Sequence, residues 1–222
     1  MTSLGETRHY PTLASRRADF LIHIVALVSA IVGAGVGLAL AMVHRAKGGE
    51  MVAIAIYGLG LVATFSFSTV YNFAQAKRQP FLRRLDHAGV LLMIASSYTP
   101  FTTQALTGGW AIGMTAAVWG LASIGISCKL LLPDLGKIYW IGFYLALGWI
   151  GVVAGGPLMH VLPANALALL VAGGIAYSVG TIFYAQKRLL FRRAIWHAHV
   201  LAGAALQYLA ILFGIILKGI PG

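Results

Sequence analysis

Seven polar residues stand out in an otherwise apolar chain: Ser68, Asn72, Asp86, His87, Arg193, His197 and His199. Histidine and carboxylate are the side chains that ligate metals or form buried ion pairs, and a guanidinium matches a carboxylate through two parallel hydrogen bonds. Ser68 and Asn72 are four residues apart, so a helix would place them on one face. Asp86 and His87 open one apolar run; Arg193, His197 and His199 open another. Ionisable groups in apolar spans are costly and by default mark functional sites. His197 and His199 lie about 200° apart around a helix, so only one can face a bundle interior. Asp86 and His197 are read as converging there, while His87 and His199 read as an interfacial layer facing headgroups. Asp86 and Arg193 are expected to pair.

The elements that position these groups are membrane helices. Hydrophobic residues make up 59% of the 222, and charged residues 9%, against roughly 25% charged in a soluble domain. Seven apolar runs have the length of about 20 residues that crosses a bilayer core: approximately 20–43, 51–74, 86–104, 110–131, 137–154, 164–184 and 195–217. The fold expected is an all-α, seven-helix integral membrane bundle, with residues 1–19 as an N-terminal segment and 20–217 as the transmembrane domain. The first run is too long for the apolar core of a signal peptide, about 7–15 residues, so it reads as a retained helix.

Lysine and arginine counting orients the bundle. With a cytoplasmic N-terminus, 13 of the 16 basic residues fall inside. These are Arg8, Arg16 and Arg17; Lys77, Arg78, Arg83 and Arg84; Lys129 and Lys137; and Lys187, Arg188, Arg192 and Arg193. Arg45, Lys47 and Lys218 remain outside, as does the C-terminus. The net charge of +11 therefore reads as insertion signal, with membrane lipids as partners and no nucleic acid. Bacterial inner membrane is the expected location.

The other polar residues read as incidental. Glu6, Asp19, Glu50 and Asp134 look like loop or helix-end acids, and His9, His23, His44 and His160 look scattered. Cys128 cannot form an internal disulfide and packs as a small hydrophobe. Gly33, Gly35, Gly37, Gly173 and Gly174 allow close helix approach. Pro100 should end or kink its helix, with Ser96, Ser97 and Thr99 satisfying the backbone groups it frees.

Three stretches carry a resemblance: "FSFSTVYN" (65–72), "LRRLDHAGVLLMIASSYTPF" (82–101) and "IWHAHVLAGAALQY" (195–208). In order and context they resemble the hemolysin III family, bacterial relatives of the progestin and adipoQ receptors (PAQR). The resemblance implies seven helices, a cytoplasmic N-terminus and a zinc ion near the cytoplasmic face. That ion is held by one histidine of helix 2 and an His-x3-His pair of helix 7, with a serine and an aspartate close by. Here the matching positions are Asn72 and Arg193-x3-His197, so two of three ligands are replaced. Ser68, Asp86 and His197 remain. Zinc catalysis needs three protein ligands and an open position, and a guanidinium cannot ligate.

The reading is therefore a membrane protein acting on membrane state, lipid homeostasis or permeability, leaning away from an enzyme and expecting no cofactor. The alternative is a zinc-dependent lipid hydrolase of ceramidase-like type. It would need a site rebuilt from His197, Asp86, His87 or His199. A channel or transporter ranks last, because the paired broken helices of coupled transporters are missing from the sequence.

Overall fold

The computed structural model describes residues 10–132 and 136–218. Arg8, Glu6, His9 and Asp134 lie outside the described residues. The described chain is all helical: α1 (Leu13–Val43), α2 (Gly48–Phe73), α3 (Gln79–Gln104), α4 (Gly108–Leu131), α5 (Lys137–Trp149), α6 (Gly155–Val161), α7 (Ala164–Ala185) and α8 (Arg192–Ile211). A 3-10 turn, Ile150–Ala154, joins α5 to α6, and a π-helical turn, Leu212–Ile216, continues α8.

Six segments are long and apolar enough to cross a membrane, counting Lys137–Val161 and Arg192–Ile216 as one span each. Helix α3 is as long as α2, 26 residues, but Arg83, Arg84 and Asp86 at one end and a Ser/Thr-rich far half lower its hydropathy.

Helix α1 starts at Leu13, ahead of its apolar run. Thr12 caps it, accepting from the Ser15 amide at 3.1 Å while its own amide donates to Ser15 Oγ at 3.3 Å. Its buried residues, Ser15, Asp19, His23, Ala26 and Ala30, recur every three or four positions and so form one inward stripe. Leu21, Val25, Val28 and Val32 are exposed on the lipid side.

The helices pack in the ring order α4–α3–α2–α1–α8–α7, and the α5–α6 segment closes the ring more loosely. Close approach follows small residues. Gly33 and Gly37 lie against the Tyr208 ring, where an added Cβ would sit at 3.5 and 3.6 Å. Gly173 faces Gln207 and Gly174 faces Trp149; Gly35 faces open space. One core cluster centres on Ala26, Ile54, Tyr57, Leu61, Phe65 and Ile211. A second joins Leu91, Ala95, Val118, Ala122, Trp140 and Leu147, with Cys128 packed at its edge.

Pro100 lies inside α3 without ending it. The hydroxyls of Ser96, Ser97 and Thr99 bond back to the carbonyls of Met93, Ile94 and Ala95. The fifth span runs to Val161 instead of residue 154. Its α-helical ladder gives way to the 3-10 turn Ile150–Ala154, where Pro157, which has no N–H to give, leaves the Val153 carbonyl without its i→i+4 donor.

Candidate functional site at the charged end of the bundle

The alternating helices bring the N-terminal ends of α1, α3, α5 and α8 to one side, with the C-terminal ends of α2 and α4. There α1 contributes a residue pair that composition alone disguises. Asp19 is fully buried (0% exposed) and His23 nearly so (2%). This corrects the reading of Asp19 as a helix-end acid and of His23 as scattered. Their four-residue spacing puts both on the inward stripe of α1.

The Asp19 carboxylate is held from two sides. The Tyr10 hydroxyl donates to Oδ2 at 2.5 Å and His197 Nδ1 donates to Oδ1 at 2.6 Å. Burial first, and then the neighbouring carboxylate, raise the Tyr10 phenol's pKa well above its ordinary value, so it remains a donor. His23 Nδ1 lies 2.8 Å from the Asp19 backbone carbonyl. A carbonyl only accepts, so Nδ1 carries the proton, and in the neutral ring the Nε2 lone pair points away. That lone pair faces Ser68 Oγ at 3.3 Å and Asn72 Nδ2 at 3.5 Å. The two imidazole rings lie edge to face, 4.2 Å apart.

On α2, Asn72 Nδ2 donates to the Ser68 carbonyl at 2.9 Å, which turns Oδ1 outward to accept from Arg193 Nη1 at 3.1 Å. Arg193 also lies 5.7 Å from the Tyr10 ring centre. Asp86, near the start of α3, lies beside Ser68, with Arg193 and His197 near it. The expected convergence of Ser68, Asn72, Asp86, Arg193 and His197 is therefore present. Arg193 donates to Asn72 on α2, a different partner from the Asp86 carboxylate that the sequence suggests.

The remaining histidines divide as follows. His87 lines the cavity, and its backbone carbonyl accepts from Tyr144 at 3.3 Å. His199 turns away: Nδ1 donates to the Ile195 carbonyl and the ring packs on Phe183 of α7. His44 and His160 are exposed.

The cluster heads a cavity of about 1120 Å³ that runs down the bundle, above the roughly 300–1,000 Å³ of ordinary ligand pockets. Phe101, Leu106, Met114, Leu158 and Leu167 line its far part. Five cations, Arg83, Lys129, Lys137, Arg192 and Arg193, and one acid, Asp86, line its charged end. Lys137 Nζ donates to the Tyr184 carbonyl at 2.7 Å and sits over that ring; Lys129 sits over Trp140.

Positions 72 and 193 do not fit a metal. The Asn72 oxygen is taken by the guanidinium, and the guanidinium offers only donors. A different set does suit zinc by type: ligand atoms of Asp19, His23 and His197 lie within 4.8 Å of one another, two imidazoles and one carboxylate.

Buried ionisable groups on apolar, membrane-length helices define a multi-pass integral membrane protein. Residues 16–208 match the family of haemolysin-III-related proteins. The chain is 34% identical to the Hemolysin-3 homolog of Bacillus subtilis over 74% of this chain and 78% of that one. It is 35% identical to Hemolysin-3 of Bacillus cereus over 81% and 84%. It is also 30% identical to the human Monocyte to macrophage differentiation factor over 92% and 86%. The chain belongs to the hemolysin III family.

Proposed function

We propose that this protein takes an anionic amphiphile from the membrane into its central cavity and so acts on membrane lipid state, without zinc chemistry. The observation that carries this is the cavity itself: long and apolar, with five cations against one acid at a single end. An acyl chain suits the apolar length, and a phosphate or carboxylate headgroup suits the cationic end. Helix α3 is the seventh span in this reading: at about 1.5 Å per residue its 26 residues reach roughly 39 Å. The bias in lysine and arginine supports a cytoplasmic N-terminus and an outward C-terminus, in a bacterial inner membrane, with residues 1–19 as the cytoplasmic lead and 20–217 as the membrane domain.

The test is lipid analysis of the detergent-purified protein. Anionic lipid or fatty acid should co-purify, and Lys137→Gln with Arg192→Gln should deplete it while zwitterionic lipid is unchanged. Equal retention of neutral lipid by both proteins would refute the reading.

A second reading is a metal-dependent lipid hydrolase, favoured by the Asp19, His23 and His197 group. A bound zinc there would supply an activated water at the head of the cavity. Elemental analysis of protein purified without chelator decides between the two.

A further inference from the structure

We infer that Ser68 and His23 form a metal-independent acyl-transfer pair that hydrolyses the fatty-acyl ester of an amphiphile held in the cavity. The inference rests on the lipid-binding reading above and adds a reaction to it. A serine hydroxyl is a weak nucleophile until a base stands within hydrogen-bond reach and a third group fixes that base. All three parts are present. His23 Nε2 lies 3.3 Å from Ser68 Oγ. His23 Nδ1–H is anchored on the Asp19 carbonyl at 2.8 Å, which fixes the tautomer with its lone pair toward the serine. Resting contacts in such pairs commonly exceed the working range of about 2.6–3.2 Å.

The surroundings agree. Both residues line the cavity, and both are nearly shielded from solvent, Ser68 at 8% and His23 at 2%. The hydroxyl carries one proton, with His23 Nε2 at 3.3 Å and Asp86 also beside it. Asp86 positions the hydroxyl; His23 is assigned as the base because its ring is anchored opposite the serine. The Arg193 guanidinium, tied to Asn72 at 3.1 Å, supplies positive charge beside Ser68 for the oxygen that becomes anionic during attack. An ester whose chain lies along the apolar part of the cavity would present its carbonyl here.

In the reaction, Ser68 Oγ bonds to the ester carbonyl carbon and its proton passes to His23 Nε2. The tetrahedral intermediate collapses, the carbon–oxygen ester bond breaks, and the leaving alcohol takes the proton from His23. Water then attacks the acyl-serine and gives a proton to His23. The carbon–Oγ bond breaks, Ser68 regains the proton, and a fatty acid departs. Water is the sole co-reactant, and no electron changes hands.

The test uses the full chain in detergent with a fluorophosphonate probe and a phospholipid bearing a fluorogenic acyl ester. The probe should add to Ser68, located by peptide mass spectrometry, and turnover should persist with a zinc chelator. Ser68→Ala should abolish both signals. His23→Gln should lower them about 10²–10⁴-fold, the usual contribution of a general base. Thr103→Ala, which alters a hydroxyl bonded to the Thr99 carbonyl on α3 and absent from the cavity lining, should change neither. Each variant's unfolding temperature and bound lipid report whether it is folded. A wild-type chain that binds lipid yet neither labels nor turns over would overturn the inference, as would labelling that survives Ser68→Ala. Loss of activity in Asp86→Asn but not His23→Gln would remove His23 as the base. Turnover that stops with chelator and returns with zinc would overturn the pair in favour of Asp19, His23 and His197 as a metal set. A chain that labels at Ser68 but holds no lipid would defeat the cavity reading and leave the nucleophile standing.

Discussion

His197 donates from Nδ1 to the Asp19 carboxylate at 2.6 Å, across the contact between α8 and α1. The acid is fully buried and the imidazole 11% exposed, so water competes little for the carboxylate. Breaking such a pair from one side leaves a buried polar group or charge uncompensated, at about 3–5 kcal/mol. Asp19→Ala and His197→Ala should each lower detergent-phase stability by that order, and the double variant by clearly less than their sum. Tyr10→Phe should cost about 1.5–3 kcal/mol, since its hydroxyl binds a charged oxygen. Chemical unfolding of the four proteins checks the set; strict additivity would mean the contact contributes nothing.

Gly60 is the tightest helix contact. A Cβ there would lie 2.0 Å from Ser96 Oγ and 2.5 Å from Ser96 Cβ, and Ser96 is fully buried. Gly60→Ala should therefore force α2 from α3 at about 1–3 kcal/mol. Gly35→Ala meets nothing within 4 Å and should be neutral or slightly stabilising, because alanine is the better helix former. Thermal unfolding in detergent of both variants tests the contrast.

Topology follows from the basic residues. In a Cys128→Ala background, Ala46→Cys between α1 and α2 should react with an impermeant thiol reagent in intact cells. Ala76→Cys between α2 and α3 should react only after permeabilisation. The reverse pattern would invert the bundle and place the charged cavity mouth outside.

The protein should purify without one zinc per chain, because positions 72 and 193 are joined by a hydrogen bond between Asn72 and Arg193. Asn72→His with Arg193→His should let zinc bind, by restoring one imidazole on α2 and an i, i+4 pair on α8 that share a face. Elemental analysis of both proteins is the measurement. Stoichiometric zinc in the wild type would point to Asp19, His23 and His197 instead.

Much of this arrangement was legible in the sequence. Apolar run length and the spacing of Ser68, Asn72, Asp86, Arg193 and His197 place those five on helix ends that meet at one depth. Asp19 and His23 escaped the same reading for a physical reason. Asp19 directly precedes the apolar run, next to Arg16 and Arg17, where helix-end acids are common. Only the capping of α1 at Thr12 brings it inside the helix. The signal was available as a four-residue recurrence, Ser15, Asp19, His23, against exposed Leu21 and Val25. The break after Trp149 was also open to inference from Gly155-Gly156-Pro157. The ring closure that leaves room for the cavity was not, because it depends on how loosely α5 stands against its neighbours.

Tyr98 stitches that break from outside. Its hydroxyl donates to the Gly148 carbonyl at 2.6 Å and accepts from the Gly151 amide at 3.0 Å, on either side of the point where the helical ladder is interrupted. A Cβ at position 151 would fall 2.8–2.9 Å from that same ring and hydroxyl. Positions 98 and 151 thus act as one joint. Phenylalanine at 98 takes the shared hydroxyl from two backbone groups in hydrocarbon, and a side chain at 151 would press on the same ring from the other direction.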